Sequence, residues 1–134
     1  MIHLDTTFLV DLLRERADNT PGPAYRFLED HGADDLALSV HVACELMAGV
    51  ACAENPETER ERVAAVLQAL PVVYPGEGFA HTYAVLYAEL RRRGEKVPAM
   101  DLLIASAARA VEAKLVTRNV RDFERIPGLH VLSY

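Results

Sequence analysis

The chain has 134 residues and a net charge of −6, with 51% hydrophobic and 25% charged residues. Its length fits one domain, residues 1–134, and its apolar content excludes an intrinsically disordered chain. The excess of acidic residues, 20 Asp and Glu against 14 Lys and Arg, argues against a protein that simply coats nucleic acid. It leaves room for an acidic site that binds cations, because divalent ions reverse the local charge.

The two cysteines and the lack of long apolar segments bear on the compartment. Cys44 and Cys52 are eight residues apart, which on one helix is about 12 Å along the axis and too far for a disulfide. We expect two small core thiols in a reducing compartment. The first residues lack the features of a secretory signal, and no apolar run approaches the ~18 residues of a membrane span. We therefore expect a cytoplasmic protein without a membrane partner.

Strand and helix patterns alternate in the first half of the chain. The apolar run 1–4 is typical of a buried strand, and it ends at Asp5. Either Thr6 or Thr7 is expected to cap the helix that follows, and Ser39 a later one. The predicted strands here are residues 1–4 and 36–39, and the predicted helices are residues 8–17, 24–31 and 40–53.

The second half continues this alternation. Asn55 and Pro56 start a helix in which apolar residues recur at helical spacing up to Leu70. The further predicted helices are residues 77–93 and 99–113, and the further predicted strands are residues 72–74, 115–117 and 130–132. The order predicts an α/β domain with a mostly parallel sheet and helices on both faces. Sites in such sheets form at the carboxyl ends of the strands.

Two aspartates stand where a strand or loop passes into a helix. Asp5 follows the first predicted strand, and Asp101 lies in the first turn of its helix, after Pro98. Each has a purely structural alternative, because a carboxylate near a helix N-terminus is favoured by the helix dipole. The same field keeps a carboxylate ionised, which a metal ligand requires.

The roles of two further acids, Glu45 and Asp122, are less clear when each residue is considered alone. Glu45 lies within an otherwise apolar helix, where an unpaired Glu is rarely buried. Gly49, one turn later, either permits close helix packing or leaves space beside the Glu45 carboxylate. Asp122 lies in a polar turn, residues 117–123, where a solvated role is the alternative.

Together, these carboxylates indicate a metal site. Three or four acids at strand ends and facing helix starts would repel one another without a cation. Hard oxygen ligands suit Mg²⁺, with Mn²⁺ as a possible substitute, and no paired His or Cys spacing supports zinc. Sites of this kind activate water and stabilise charge during phosphodiester cleavage.

Four segments resemble the PIN-domain nucleases, and specifically the VapC-type toxins of bacterial VapBC pairs. They occur in the order and spacing of that family and comprise residues 2–7, 39–49, 98–105 and 115–129. The resemblance implies a three-layer α/β/α fold and Mg²⁺-dependent endoribonuclease activity that cleaves RNA with metal-activated water. It also implies a type II toxin, a cognate VapB-type antitoxin and a homodimer. The apolar helices 40–53 and 63–70 are candidate surfaces for the antitoxin.

The resemblance also assigns roles to individual residues. Asp5, Glu45 and Asp101 take the first three acidic positions of the family. The fourth is open, because Asn119 stands where many relatives carry an acid, and Asp122 is the alternative. We expect Asp5 and Asp101 to bind the metal directly and Glu45 and Asp122 more weakly or through water. The expected supporting residues are Thr6, Thr117 and Asn119.

Basic residues flank the predicted site on two sides. Arginine suits bidentate phosphate recognition, although a solvated helix end is an equal alternative for the first group. The candidate RNA contacts are Arg91, Arg92, Arg93, Lys96, Arg118 and Arg121. Because exposed single-stranded loops are the RNA form most readily read by sequence, a structured RNA such as tRNA or rRNA is the expected substrate.

Other functions remain as alternatives. A phosphohydrolase with an aspartyl nucleophile would usually carry a second Asp two residues after Asp5, where this chain has Thr7. A receiver-type signalling domain would need an acceptor Asp at a mid-chain strand end, and the strand ending near Ser39 offers none. A catalytically weak PIN-fold protein that binds RNA or regulates would keep the fold alone, and the retained acids argue against it.

Overall fold

The computed structural model describes all residues, 1–134. Its strands are β1 (Ile2–Leu4), β2 (Leu36–Ser39), β3 (Val72–Val73), β4 (Lys114–Val116) and β5 (Val131–Leu132). Its helices are α1 (Thr6–Ala17), α2 (Pro23–Asp30), α3 (Val40–Ala51), α4 (Pro56–Ala69), α5 (Phe79–Arg92), α6 (Ala99–Ala110) and α7 (Val120–Phe123). The sheet order is β3-β2-β1-β4-β5, with every pair parallel. The predicted α/β fold with helices around a parallel sheet is therefore confirmed.

The central strand β1 is buried along its whole length. It pairs with β2 on one side and β4 on the other, so that Ile2 lies opposite both Leu36 and Lys114. Strands covered on both faces read as continuous apolar runs, which explains the composition of β1. Because all five strands run the same way, the residues that follow them, such as Asp5 and Thr117, lie at one edge of the sheet.

The helix caps match the prediction in one case and differ in another. Ser39 caps α3 as expected, and its hydroxyl accepts a hydrogen bond from the Val42 N–H at 3.4 Å. The expected cap of α1 by Thr6 or Thr7 is wrong, because Asp5 occupies the cap position. Both threonines lie in the first turn instead, and their hydroxyls donate to carboxylates.

Two segments differ from the sequence expectation in their local structure. The turn expected at residues 117–123 contains the short helix α7, which buries Phe123 beneath it. Helix α6 ends at Ala110 rather than at residue 113, since Glu112 adopts a positive φ of 54° that no helix residue can hold.

The cysteines are not core thiols, contrary to the expectation. Cys44 and Cys52 are both free and exposed. The buried face of α3 carries Val42, Leu46 and Val50, and Cys44 points away from these residues because it lies two positions from Val42.

None of the helices combines the length and apolar character that a transmembrane crossing requires.

Candidate active site

Asp5 is the buried centre of the carboxyl edge of the sheet, with 3% of its surface exposed. Its backbone N–H donates to the Val116 carbonyl at 3.0 Å, which holds it against the end of β4. Its carboxylate Oδ2 accepts hydrogen bonds from the hydroxyls of Thr117 at 2.7 Å and Thr7 at 2.8 Å. No hydrogen-bond donor contacts Oδ1, so this oxygen is available to a ligand.

The two threonines also fix the loop after β4. The Thr7 hydroxyl accepts from the backbone N–H of Arg118 at 3.1 Å, and the Thr117 hydroxyl accepts from that of Asn119 at 3.0 Å. Because each hydroxyl has one proton, these two acceptor roles leave the protons for Asp5. The carboxylate orientation is therefore set by residues from α1 and from the loop after β4.

Glu45 reaches the same edge from α3. Its Oε2 accepts a hydrogen bond from the Thr6 hydroxyl, which links α3 to the start of α1. Gly49, one turn later, is exposed, and a Cβ at this position would meet no atom within 4 Å apart from the backbone of its own helix. Close helix packing is therefore not the reason for the glycine, which lines an open groove beside Glu45.

Asp101 lies in the first turn of α6, and the other acids affect its pKa. Burial, followed by the negative charges of Asp5, Glu45 and Asp122, raises the pKa of Asp101 to about 6. A carboxyl group shifts in this direction when like charges surround it and no cation compensates them. The structure thus brings the four acids predicted from the sequence into one electrostatic group.

Asp122 and Asn119 remain the two candidates for the fourth position. Asp122 is half-exposed and accepts a hydrogen bond from Arg125 at 3.3 Å. Asn119 precedes α7, and its side chain makes no capping hydrogen bond. No three His, Cys, Asp or Glu side chains are close enough, as they stand, to hold one metal ion between them.

The basic residues predicted to contact RNA fall into different environments. Arg92 and Arg93 both pair with Glu89 on the exposed face of α5. Arg91 and Lys96 line a cleft of about 450 Å³ between the end of α5 and the start of α6. Of the two predicted RNA contacts beyond β4, Arg121 is exposed and Arg118 pairs with an aspartate of α1.

That aspartate, Asp11, is the feature that the sequence analysis missed. It is 6% exposed, and its carboxylate accepts hydrogen bonds from Arg118, Arg14 and Tyr134. Its position was a usable signal, because it lies within the apolar stripe that also contains Phe8 and Leu12. A charge at such a position requires partners.

Comparison with known sequences gives consistent matches along the chain. A family model described as PIN domain matches residues 2–129. Ribonuclease VapC2 of Rickettsia felis is 32% identical over 127 residues, which cover 94% of this chain and 92% of that protein. The tRNA(fMet)-specific endonuclease VapC of Salmonella typhimurium is 33% identical over 97 residues, which cover 72% of this chain and 73% of that protein.

Solved structures match over almost the whole chain. The structure of VapBC2 from Rickettsia felis, bound to a DNA fragment from its promoter, superposes with a TM-score of 0.91 at 31% identity, covering 100% of this chain and 99% of that one. The DNA-bound VapBC structure from Salmonella typhimurium gives a TM-score of 0.88 at 26% identity, with coverages of 98% and 96%.

Proposed function

This chain belongs to the PIN-domain family and is of the VapC type, and from this premise we propose that it is a metal-dependent endoribonuclease, the toxin of a VapBC-type pair. The observation that carries the proposal is the convergence of Asp5, Glu45, Asp101 and Asp122 at one edge of the sheet. Relatives named as ribonucleases share the fold, and the acids supply the chemistry that such an activity needs.

The donor set fits a hard divalent cation. The four acids and the neighbouring threonines offer carboxylate and hydroxyl oxygens. Mg²⁺ and Mn²⁺ prefer such oxygen ligands to thiols and imidazoles. Burial and the charges of Asp5, Glu45 and Asp122 raise the pKa of Asp101, and among these three acids only Asp122 has a basic partner, Arg125. We assign Asp5 and Asp101 as direct ligands and Glu45 and Asp122 as weaker or water-mediated ones. When bound, the ion would activate water and neutralise charge on the phosphate.

The chain's own groups hold these ligands in place. Thr7 and Thr117 donate to Oδ2 of Asp5, so its Oδ1 remains free. Thr6 holds Glu45 by a hydrogen bond from its hydroxyl. Such contacts to metal-binding carboxylates commonly orient them.

We propose that RNA enters along the cleft between the end of α5 and the start of α6. Arg91 and Lys96 line it together with Tyr87 and Leu102, the residue next to Asp101. The Glu89 pairs of Arg92 and Arg93 are exposed, and exposed pairs are weak enough to exchange for a phosphate. We propose that these cations, with Arg121, contact the RNA backbone.

An antitoxin segment fits the groove between α1, α3 and α4, which has a volume of about 430 Å³. Apolar side chains of all three helices line it, and it opens beside Thr6 and Glu45. An apolar segment carrying an Arg or Lys could fill the groove and reach the acids. Val10 is 45% exposed in this groove, so Val10→Glu should weaken binding of a cognate VapB-type antitoxin. Val111→Glu, at a site 47% exposed outside the groove, should not.

Cleavage of labelled tRNA and rRNA tests the enzymatic proposal. The wild type should cut in Mg²⁺ and not in EDTA, and Asp101→Asn should abolish cutting. Asp30→Asn, at an exposed position at the end of α2, is the matched control and should cut normally. Cleavage by Asp101→Asn, or in EDTA, would overturn the proposed site, and RNA binding without cleavage would favour the non-catalytic alternative. We also propose that the chain forms a homodimer, the assembly expected of this family. Analytical ultracentrifugation measures its mass in solution.

A further inference from the structure

An ion pair with a buried carboxylate, Asp11, lies on the helix that follows Asp5. Asp11 is on α1, six residues after Asp5, and its side chain is only 8% exposed. The neighbouring buried residues of α1 are apolar, namely Phe8, Leu9 and Leu12. A carboxylate in this setting is stabilised only when donors surround it.

Asp11 has such donors, and two of them come from distant parts of the chain. Nη1 of Arg118 contacts both carboxylate oxygens, at 2.7 and 2.8 Å, and the Tyr134 hydroxyl donates to Oδ2 at 2.7 Å. Arg14, one turn along α1, is a third donor. Of the two arginines, Arg118 alone belongs to the loop that follows β4.

Arg118 is therefore held against α1 at two points. Its guanidinium binds Asp11, and its backbone N–H donates to the Thr7 hydroxyl at 3.1 Å. Thr7 and Asp11 are four residues apart, so they lie on one face of the helix. The proton of the Thr7 hydroxyl is directed to Oδ2 of Asp5, at 2.8 Å.

We propose that Asp11 is a positioning residue for the acidic site. By holding Arg118, it keeps the loop after β4 in register with α1, and so keeps the Thr7 and Thr117 hydroxyls on Oδ2 of Asp5. The expected effect on metal binding rests on the proposed function, whereas the expected effect on the orientation of the Asp5 carboxylate does not. A pair that served only to fasten the loop would affect stability and leave the Asp5 carboxylate unchanged.

Two arginine variants separate these roles. Arg118→Gln and Arg14→Gln each remove one cation from the same carboxylate, at positions with side chains 58% and 61% exposed, so both should fold. Each is compared with the wild type by the ¹³Cγ signal of Asp5 in the metal-free protein, by Mn²⁺ affinity from paramagnetic resonance, and by the free energy of unfolding. Arg118→Gln should shift the Asp5 signal and weaken Mn²⁺ binding about 10-fold, the lower end of the range for outer groups around a metal.

Arg14→Gln should leave the Asp5 signal and the Mn²⁺ affinity unchanged. Asp11→Asn should show the same shifted Asp5 signal and weaker Mn²⁺ binding as Arg118→Gln. The proposal is overturned if Arg118→Gln lowers stability with no change in the Asp5 signal, or if Arg14→Gln changes that signal equally. If the wild type binds no Mn²⁺, the metal site of the proposed function fails. The Asp5 signal of the metal-free variants then still decides whether Asp11 positions the carboxylate.

Discussion

The Thr117 hydroxyl donates a hydrogen bond of 2.7 Å to Oδ2 of Asp5 and joins residues 112 positions apart in the chain. The two residues follow adjacent parallel strands, β4 and β1. Both are buried, with Thr117 fully inaccessible. The bond therefore both stabilises the edge of the sheet and fixes the orientation of a carboxylate assigned to the metal.

Replacing the Thr117 hydroxyl tests this relationship. Thr117→Val keeps the shape of the side chain and removes one donor to a buried charge, which should lower the free energy of unfolding by about 1–3 kcal/mol. Urea denaturation measures the loss. Thr117→Ser keeps the hydroxyl and should retain most of the stability. A loss in Thr117→Ser that exceeds the loss in Thr117→Val would mean that packing of the methyl group, and not the hydrogen bond, is responsible.

The Asp101 carboxyl should make the stability of the metal-free protein depend on pH. Its pKa is raised from 3.8 to about 6 by burial and by the neighbouring acids. Between these values the native state binds a proton that the unfolded state has lost, so the unfolding free energy falls as the pH rises. Asp101→Asn removes this dependence.

The measurement is urea denaturation of the wild type and Asp101→Asn in EDTA from pH 4 to pH 7. The stability of the variant relative to the wild type should increase as the pH rises through this window. If the stability difference between the variant and the wild type is constant with pH, the pKa of Asp101 is ordinary and the other acids do not raise it.

Glycines at two positions should respond to alanine in opposite directions. Gly49 lies within α3 with open space around it, so Gly49→Ala should stabilise the protein by about 0.5–1 kcal/mol. Gly94 follows α5 at a φ of +69°, so Gly94→Ala should destabilise it. Thermal unfolding of both variants checks the signs, and a destabilised Gly49→Ala would indicate packing at that face of α3.

The fold and the acids could be predicted because their signals are local. The apolar run of β1 ends at Asp5, Glu45 interrupts an apolar helix, and Asp101 follows Pro98 at a helix start. Parallel topology then gathers strand ends at one edge. Each of these steps needs only a few adjacent residues.

The supporting contacts could not be predicted, because they join residues far apart in the chain. Asp11 and Arg118 are 107 positions apart, and no pattern along the chain pairs them. The cap of α1 was wrong although Thr6 and Thr7 have the preferred capping side chains. The Thr6 hydroxyl donates to Glu45, 39 positions away, and the Thr7 hydroxyl donates to Asp5, which itself occupies the cap position. The core position expected for Cys44 and Cys52 was wrong because the buried face of α3 lies elsewhere.

The exposed thiols lead to a simple prediction. Cys44 and Cys52 should both react with a thiol reagent such as dithionitrobenzoate in the native protein, at rates close to those of a small thiol, because neither is buried or paired. Absorbance of the released thiolate counts the reactive groups. Slow reaction that becomes fast only in denaturant would contradict the exposure of both residues.

The central claim is that four carboxylates form one metal site, and Mn²⁺ broadening of carboxyl ¹³C signals tests it most directly. Added in small amounts, Mn²⁺ should broaden the signals of Asp5, Glu45, Asp101 and Asp122 together, and excess Mg²⁺ should restore them. The exposed Asp30 serves as the internal reference and should remain sharp. Broadening that spares Asp5 and Asp101, or that affects Asp30 equally, would contradict a shared site.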